Sequence, residues 1–250
     1  MKADTTTELD QKEEVSEIAA PALTAEEEIL FADMIKAGVI YGRKKSKTNP
    51  KMGPYIFATR KGIEIFDLPQ TLNLLDKAIV FLKEKIEKKL PVLVVGTQPA
   101  AKDLVKKFAE KLGFHHVVER WLGGTLTNFK VISKRIEYFI RLKSDKATGR
   151  LDKYTKRERL KIDENIQKLS KVLSGIEKMT HLPDAIIIFD VEEHQTSVRE
   201  ANRLKIPIIG IANSDSNPDQ VNYLIPANDN SKTSISWILE YIEKKLNTVS

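Results

Sequence analysis

A chain of 250 residues, 41% apolar and 30% charged, has enough apolar content for a core of its own, as one large domain or two small ones. With no cysteine it forms neither disulfides nor thiolate metal sites. No cationic start leads into an apolar run, and no stretch nears the ~20 apolar residues that span a bilayer, so it reads as a cytoplasmic protein without a membrane partner. The net charge of +6 is unevenly spread. Residues 1–28 carry two Lys against nine Asp and Glu, residues 36–62 carry eight Lys and Arg and no acid, and residues 128–178 carry 15 against seven. Two basic blocks in an otherwise slightly acidic chain are the footprint of a polyanion-binding surface, with RNA or DNA as the leading partner class.

Residues 1–23 are acidic and poor in large apolar groups, too little to offset the entropy of ordering, and are expected to form a disordered tail. Thr24 with Glu27 three residues on makes a capping-box pattern, followed by a short apolar helix through Ile29, Leu30, Ala32, Met34 and Ile35 that ends before Gly38. Tyr41 to Met52 has no periodicity and packs Arg43, Lys44, Lys45 and Lys47 into five residues, which predicts an exposed loop. Tyr55–Thr59 and Ile63–Phe66 are β-type runs joined by Arg60-Lys61-Gly62, a hairpin with basic residues at its tip.

Leu72, Leu75, Ile79, Leu82 and Ile86 recur at helical spacing before Pro91-Val-Leu-Val-Val95, an apolar run typical of a strand covered on both faces. A helix carrying Leu104, Val105, Phe108 and Leu112 ends at Gly113, and Val117 and Val118 suggest a further short strand. The stretch Arg120-Trp-Leu-Gly-Gly-Thr-Leu-Thr-Asn128 then reads as a hinge. Gly123 and Gly124 give backbone freedom, Trp121 and Leu122 anchor it, and Asn128 is placed to cap the next helix.

Two apolar stripes follow, Val131, Ile132, Ile136, Phe139, Ile140 and Leu160, Ile162, Ile166, Leu169, Val172, Leu173, Ile176, separated by a polar turn over 144–155. They predict an antiparallel helical hairpin over 128–178, its stripes facing each other and its outer faces carrying Lys and Arg. Strand-like runs resume at Ala185–Phe189, Ile206–Ala212 and Tyr223–Ile225, with helices through Val198–Leu204 and through Ile235, Trp237, Ile238 and Leu239. The fold class is α/β. A three-layer α/β/α domain over 24–127 and 179–250, with five parallel strands, is interrupted by the hairpin.

Ligands of such sheets bind at the carboxyl ends of the strands, here Gly96-Thr97, Asp190, Asn213-Ser-Asp215 and Asp219. No glycine loop of the dinucleotide or P-loop kind follows a strand, so no cofactor is assigned. Asp190, Asp215 and Asp219 serve more cheaply as loop caps than as ligands of a hard cation, and no metal is assigned. Of His115, His116, His181 and His194, none forms a helical ligand pair or joins a nucleophile, and His194 reads as the solvent-facing start of a helix. No residue is assigned a catalytic role. Two classes of function remain, an RNA-binding structural protein and a flavodoxin-like small-molecule-binding or hydrolytic protein with a helical arm. The second requires a concave polar pocket at the strand ends.

Gly38-Val39, Asn49-Pro50-Lys51-Met52, Tyr55-Ile56-Phe57, Gly62-Ile63, Val95-Gly96-Thr97, Arg120 to Asn128, Leu182-Pro183-Asp184, Ile206-Pro207 and Ile225-Pro226 stand in the order found in the bacterial small-subunit ribosomal protein S2 family. The sequence resembles that family from about Ala25 to Leu246, most specifically in Trp121 to Asn128. The resemblance implies a flavodoxin-like five-stranded domain with an inserted coiled-coil hairpin. It also implies a non-enzymatic role in the small ribosomal subunit, contacts with its RNA and neighbouring proteins, and help in docking ribosomal protein S1. The RNA-binding candidates are Arg43, Lys44, Lys45, Lys47, Asn49, Lys51, Arg60, Lys61, Arg120, Asn128, Lys130, Lys134 and Arg135. The sequence departs from the family where Ile40 and Arg43 stand for His, Thr48 for an aromatic residue, Asn213-Ser-Asp215 for Asp-Thr-Asn, and Ala227 for Gly. The changes at Asn213 to Asp215 remove a potential ligand.

Overall fold

A computed structural model describes residues 25–247 of the chain; the tail expected over 1–23 and the Thr24 cap lie outside the described residues. Helix α1 (Ala25–Ala37) buries Phe31, Met34 and Ile35 and leaves Ile29 exposed, then stops at Gly38, whose φ of 75° is the left-handed conformation of a helix end. A small antiparallel sheet follows, made of β1 (Tyr41–Lys44), β2 (Ile56–Arg60) and β3 (Ile63–Phe66) in the order β1-β3-β2. The hairpin turn forms where expected, with Lys61 and Gly62 at φ 49° and 78°. β1 corrects the reading of Tyr41 to Met52 as a loop: Tyr41 pairs with Ile65 and Lys44 with Ile63, and only the residues beyond Lys44 leave the sheet, in two short 3-10 turns.

The large sheet comprises β4 (Val92–Val95), β5 (His115–Val117), β6 (Ala185–Phe189), β7 (Ile208–Ala212) and β8 (Tyr223–Pro226), all parallel, in the order β5-β4-β6-β7-β8. That is the doubly wound order of flavodoxin-like proteins, reversing between β4 and β6. β4, β6 and β7 are buried at every residue, because helices cover both faces. On one face α1, α2 (Leu68–Glu87), α3 (Pro99–Leu112) and a C-terminal helix over 232–247 enclose Val92, Val94, Ile187, Phe189, Ile209 and Ile211. Gly96 permits the close approach of α3, since a Cβ there would lie 2.9 Å from Val105 Cγ2.

The opposite face is built differently. Leu93, Val95, Ile186, Ile188 and Ile208 pack on Met52 of the 3-10 turn before β2, on Phe66 of the small sheet, on Val198 and Ala201, and on the root of the inserted hairpin. That hairpin is α4 (Phe129–Ala147) and α5 (Lys156–Leu173), each amphipathic as the stripes predict. As α4 advances, the residue numbers of its partners in the returning chain fall, from Lys143 with Glu177 at 2.8 Å to Lys146 with Asp163 at 2.8 Å, so the two run antiparallel. Ile132, Ile136, Phe139, Leu173 and Ile176 are buried in the same cluster as the sheet, whereas Val131, Ile140 and Leu160 are exposed. The stripes therefore do more than face each other: the inner half of the hairpin is core, and only its outer half projects. The chain then completes β6, α6 (Gln195–Arg203), β7, β8 and the closing helix α7 (Lys232–Asn247).

Candidate nucleic-acid interface

The carboxyl ends of the strands carry two constructions, one holding the basic loop and one holding the arm. The first is centred on Arg43. Its backbone N–H donates to Ser214 Oγ (2.9 Å), its Nε meets Asp215 Oδ2 at 3.1 Å, and its Nη2 lies 3.4 Å from Asp229 Oδ1 and 3.8 Å from Asp190 Oδ2. Gln98 donates to Asp190, Asn213 Nδ2 donates to Asp229 Oδ1 at 2.9 Å, and Asn230 bridges Gln98 and the guanidinium when its amide oxygen faces Arg43. Asp229 is fully buried and its Oδ2 has no partner, and burial together with the charge of Asp190 pushes its carboxyl up to about 7, against the pull of Asn213 and Arg43.

These groups occupy the switch point between β4 and β6, where a flavodoxin-like ligand would enter. Asp190 sits there with φ 63°, its Oδ1 accepting from Glu193 N, and its carbonyl lies 2.8 Å from His194 Nδ1. His194 is buried, contrary to the solvent-facing helix start read from sequence, and its Nε2 lies 3.0 Å from Thr97 Oγ1, tying the β4 and β6 ends together. The three acids singled out by sequence do not converge. Asp219 lies out on the surface with Lys51, while Asp229, which no motif marked, joins Asp190 and Asp215. A cavity of about 490 Å³ lies at the amino end of the sheet instead, lined by Pro91, Val92, His115 and His181 among others.

Around this plug the basic loop is displayed. Asn49 N donates to Ser214 O (2.8 Å), and its Oδ1 accepts from Lys51 N (3.0 Å), which fixes the loop to the segment after β7. Lys44, Lys45, Lys47 and Lys61 are exposed, Arg60 is half-buried, and Lys51 pairs with Asp219. Arg43 points inward, so the first block loses one outward charge relative to its sequence.

The second construction holds the hinge. Glu200, on α6, is nearly buried and receives five hydrogen bonds from the stretch 121–127. Oε1 accepts from Trp121 Nε1 (3.0 Å) and Gly124 N (2.8 Å), and Oε2 accepts from Leu126 N (3.0 Å), Thr127 N (3.1 Å) and Thr127 Oγ1 (3.1 Å). Burial opposes ionisation of Glu200, but these donors outweigh it and hold the carboxyl below its ordinary value. Gly124 takes φ 86° to aim its N–H, and a Cβ there would stand 3.2 Å from Asn128 Cβ. Asn128 holds the N-cap position without a side-chain cap bond; its carbonyl accepts from Val131 N and Ile132 N. Arg120, Asn128, Lys130, Lys134 and Arg135 are all exposed at the surface. Glu200 had no signal in the sequence, since a Glu within a charged helix reads as a solvated residue.

A doubly wound sheet whose switch point is occupied by its own side chains, with basic residues on a fixed loop and an inserted hairpin, defines a flavodoxin-like α/β protein. The model of the family described as ribosomal protein S2 matches residues 34–248, and the chain belongs to that family. It is 39% identical over 212 residues to the small ribosomal subunit protein uS2 of Thermus thermophilus, covering 85% of this chain and 83% of that protein. The protein of the same name from Roseiflexus castenholzii is 40% identical over 205 residues (82% and 78%), and that from Parabacteroides distasonis 41% over 217 (87% and 78%).

Proposed function

We propose that this chain is a structural component of the small ribosomal subunit, binding ribosomal RNA through the loop 44–51, the β2–β3 tip and the hairpin, and supporting subunit assembly and translation. The observation that carries this reading is membership of the ribosomal protein S2 family across residues 34–248. The display of Lys44, Lys45, Lys47 and Lys61 supports it, because charges on a rigid mount meet phosphates with little ordering entropy. The protein works in the cytoplasm, on the ribosome, with neighbouring small-subunit proteins, ribosomal protein S1 among them, as its other partners. It has no enzymatic role. The carboxyl ends of the strands support this, since Arg43, Gln98, Asp190 and Asp229 bind one another where a substrate would sit.

The test is co-sedimentation of the tagged full chain with small subunits, wild type against Lys44→Glu/Lys45→Glu/Lys47→Glu. The triple variant is expected to fold normally, bind more weakly, and lose roughly 2–3 from the slope of log affinity against log salt, about 0.9 per phosphate contact. Normal co-sedimentation of the triple variant would remove the loop from the interface. A wild-type chain that does not sediment with subunits would overturn the reading.

A further inference from the structure

Five donors that converge on one carboxylate are more than a loop needs to satisfy its backbone. Leu126 and Thr127 offer successive N–H groups, Gly124 turns a third inward, and Trp121 and Thr127 add side-chain donors. Together they form a nest for an anion, and Glu200 fills it from a different part of the chain. Glu200 is itself held fast. It stands on α6 between Val198 and Ala201, both buried against the sheet, and Ser197 Oγ donates to His194 O at 2.8 Å.

We propose that Glu200 is the positioning residue of the hairpin, and that the loop 121–127 is an internal carboxylate-binding site which sets the direction in which the hairpin leaves the sheet. The apolar contacts of Ile132, Ile136 and Phe139 hold the root down, but burial is non-directional and permits rotation or sliding. Hydrogen bonds to an ionised acceptor are short and angle-dependent, and the last of these donors, Thr127, immediately precedes Asn128, the N-cap of α4. A carboxylate is required, since a Gln side chain has one accepting oxygen and would turn its NH2 group toward either the Trp121–Gly124 donors or the Leu126–Thr127 donors. That this direction matters for RNA rests on the function proposed above; the positioning itself does not.

The absence of cysteine allows two spin labels to be placed in the full chain, at Arg157→Cys near the hairpin tip and Lys107→Cys on α3, and their distance distribution measured. The wild-type background should give one narrow distribution. Glu200→Ala should broaden or shift it and lower the melting temperature, and sodium acetate, whose carboxylate fits the vacated nest, should reverse both where sodium chloride at equal ionic strength does not. Incorporation into small subunits should fall by roughly tenfold, as expected when phosphate contacts that fix register are misplaced. Glu200→Gln should lie between the two and gain nothing from acetate, and it serves as the informative variant if Glu200→Ala fails to fold. A distribution as narrow in both variants as in wild type, or rescue by chloride as well as by acetate, overturns the positioning role. A loosened hairpin with normal incorporation supports the positioning role and instead removes the hairpin from the RNA interface.

Discussion

Arg43 stands in a basic run whose other members face solvent, and it alone of the run's four closely spaced cations turns inward among Asp190, Asp215 and Asp229. With three acids to one cation the group is over-supplied with negative charge, and the buried Asp229 relieves this by holding a proton to about 7. Its ordinary value is 3.8, so between about 4 and 7 the folded protein retains a proton that the unfolded chain has released. Stability from this group is therefore greatest at the acid end of that window and declines as pH rises toward 7. Asp229→Asn keeps an acceptor for Asn213 and should flatten the decline, as read from urea midpoints at pH 5, 6 and 7.5; an unchanged pH profile would place the linkage elsewhere. Arg43→Gln should act the other way. Breaking a buried ion pair from one side costs about 3–5 kcal/mol, and the 25% exposure of the Arg43 side chain brings the expected loss to roughly 2–3 kcal/mol, larger at pH 7.5 than at pH 5. The sequence could not show which cation turned inward, because the partners lie 172 and 186 residues away and pairing across that distance leaves no local pattern.

At the scale of elements, legibility followed burial. β4, β6 and β7 were readable because strands buried on both faces are uninterrupted apolar runs, and α2 and α3 because their stripes recur at helical spacing. β1 escaped notice because Tyr-Gly-Arg-Lys carries no apolar alternation: it is held by pairing to β3, by Ser214, and by a Gly42 whose Cβ would lie 3.1 Å from Ser214 Oγ. The close seating of the hairpin's return on β5 was hidden in the same way. Gly175 lies in the 3-10 turn after α5, and a Cβ there would fall 2.1 Å from the carbonyl oxygen of His116 in β5. Backbone cannot move aside as a flexible side chain does, so Gly175→Ala must lift the turn off the sheet edge. The expected loss is at the upper end of the roughly 1–3 kcal/mol typical of overpacking. Thermal melting measures it, and hydrogen exchange should locate it in β5 and Leu173–Met179 rather than in β7 and β8; a variant as stable as wild type would mean that the turn is loosely seated.

For the whole molecule, the consequence of a hairpin that is half core is that it cannot be removed as a unit. Deleting 130–176 would take Ile132, Ile136, Phe139, Leu173 and Ile176 out of the cluster that covers Leu93, Val95, Ile186 and Ile188, and one face of the sheet would lose part of its cover. The outer half is a different matter. Lys146 and Asp163 are joined across the two helices at 2.8 Å, so residues 147–162 can be replaced by a short Gly-Ser link between points already close together. That segment contains Arg150, Lys153, Lys156, Arg157, Arg159 and Lys161 against Asp152 and Glu158, and its buried apolar contribution is small, Leu160 being 61% exposed. Surface charges of this kind add little to stability, so the trimmed chain should melt cooperatively and close to the wild-type temperature. If the hairpin reaches RNA with its outer half, each lost phosphate contact lowers the salt slope by about 0.9, and co-sedimentation with small subunits should weaken most at moderate salt. Cooperative melting with unimpaired co-sedimentation would confine the RNA contacts to the loop 44–51 and the hairpin root near Lys130 and Lys134, whereas loss of folding would show that the outer turns also support the sheet.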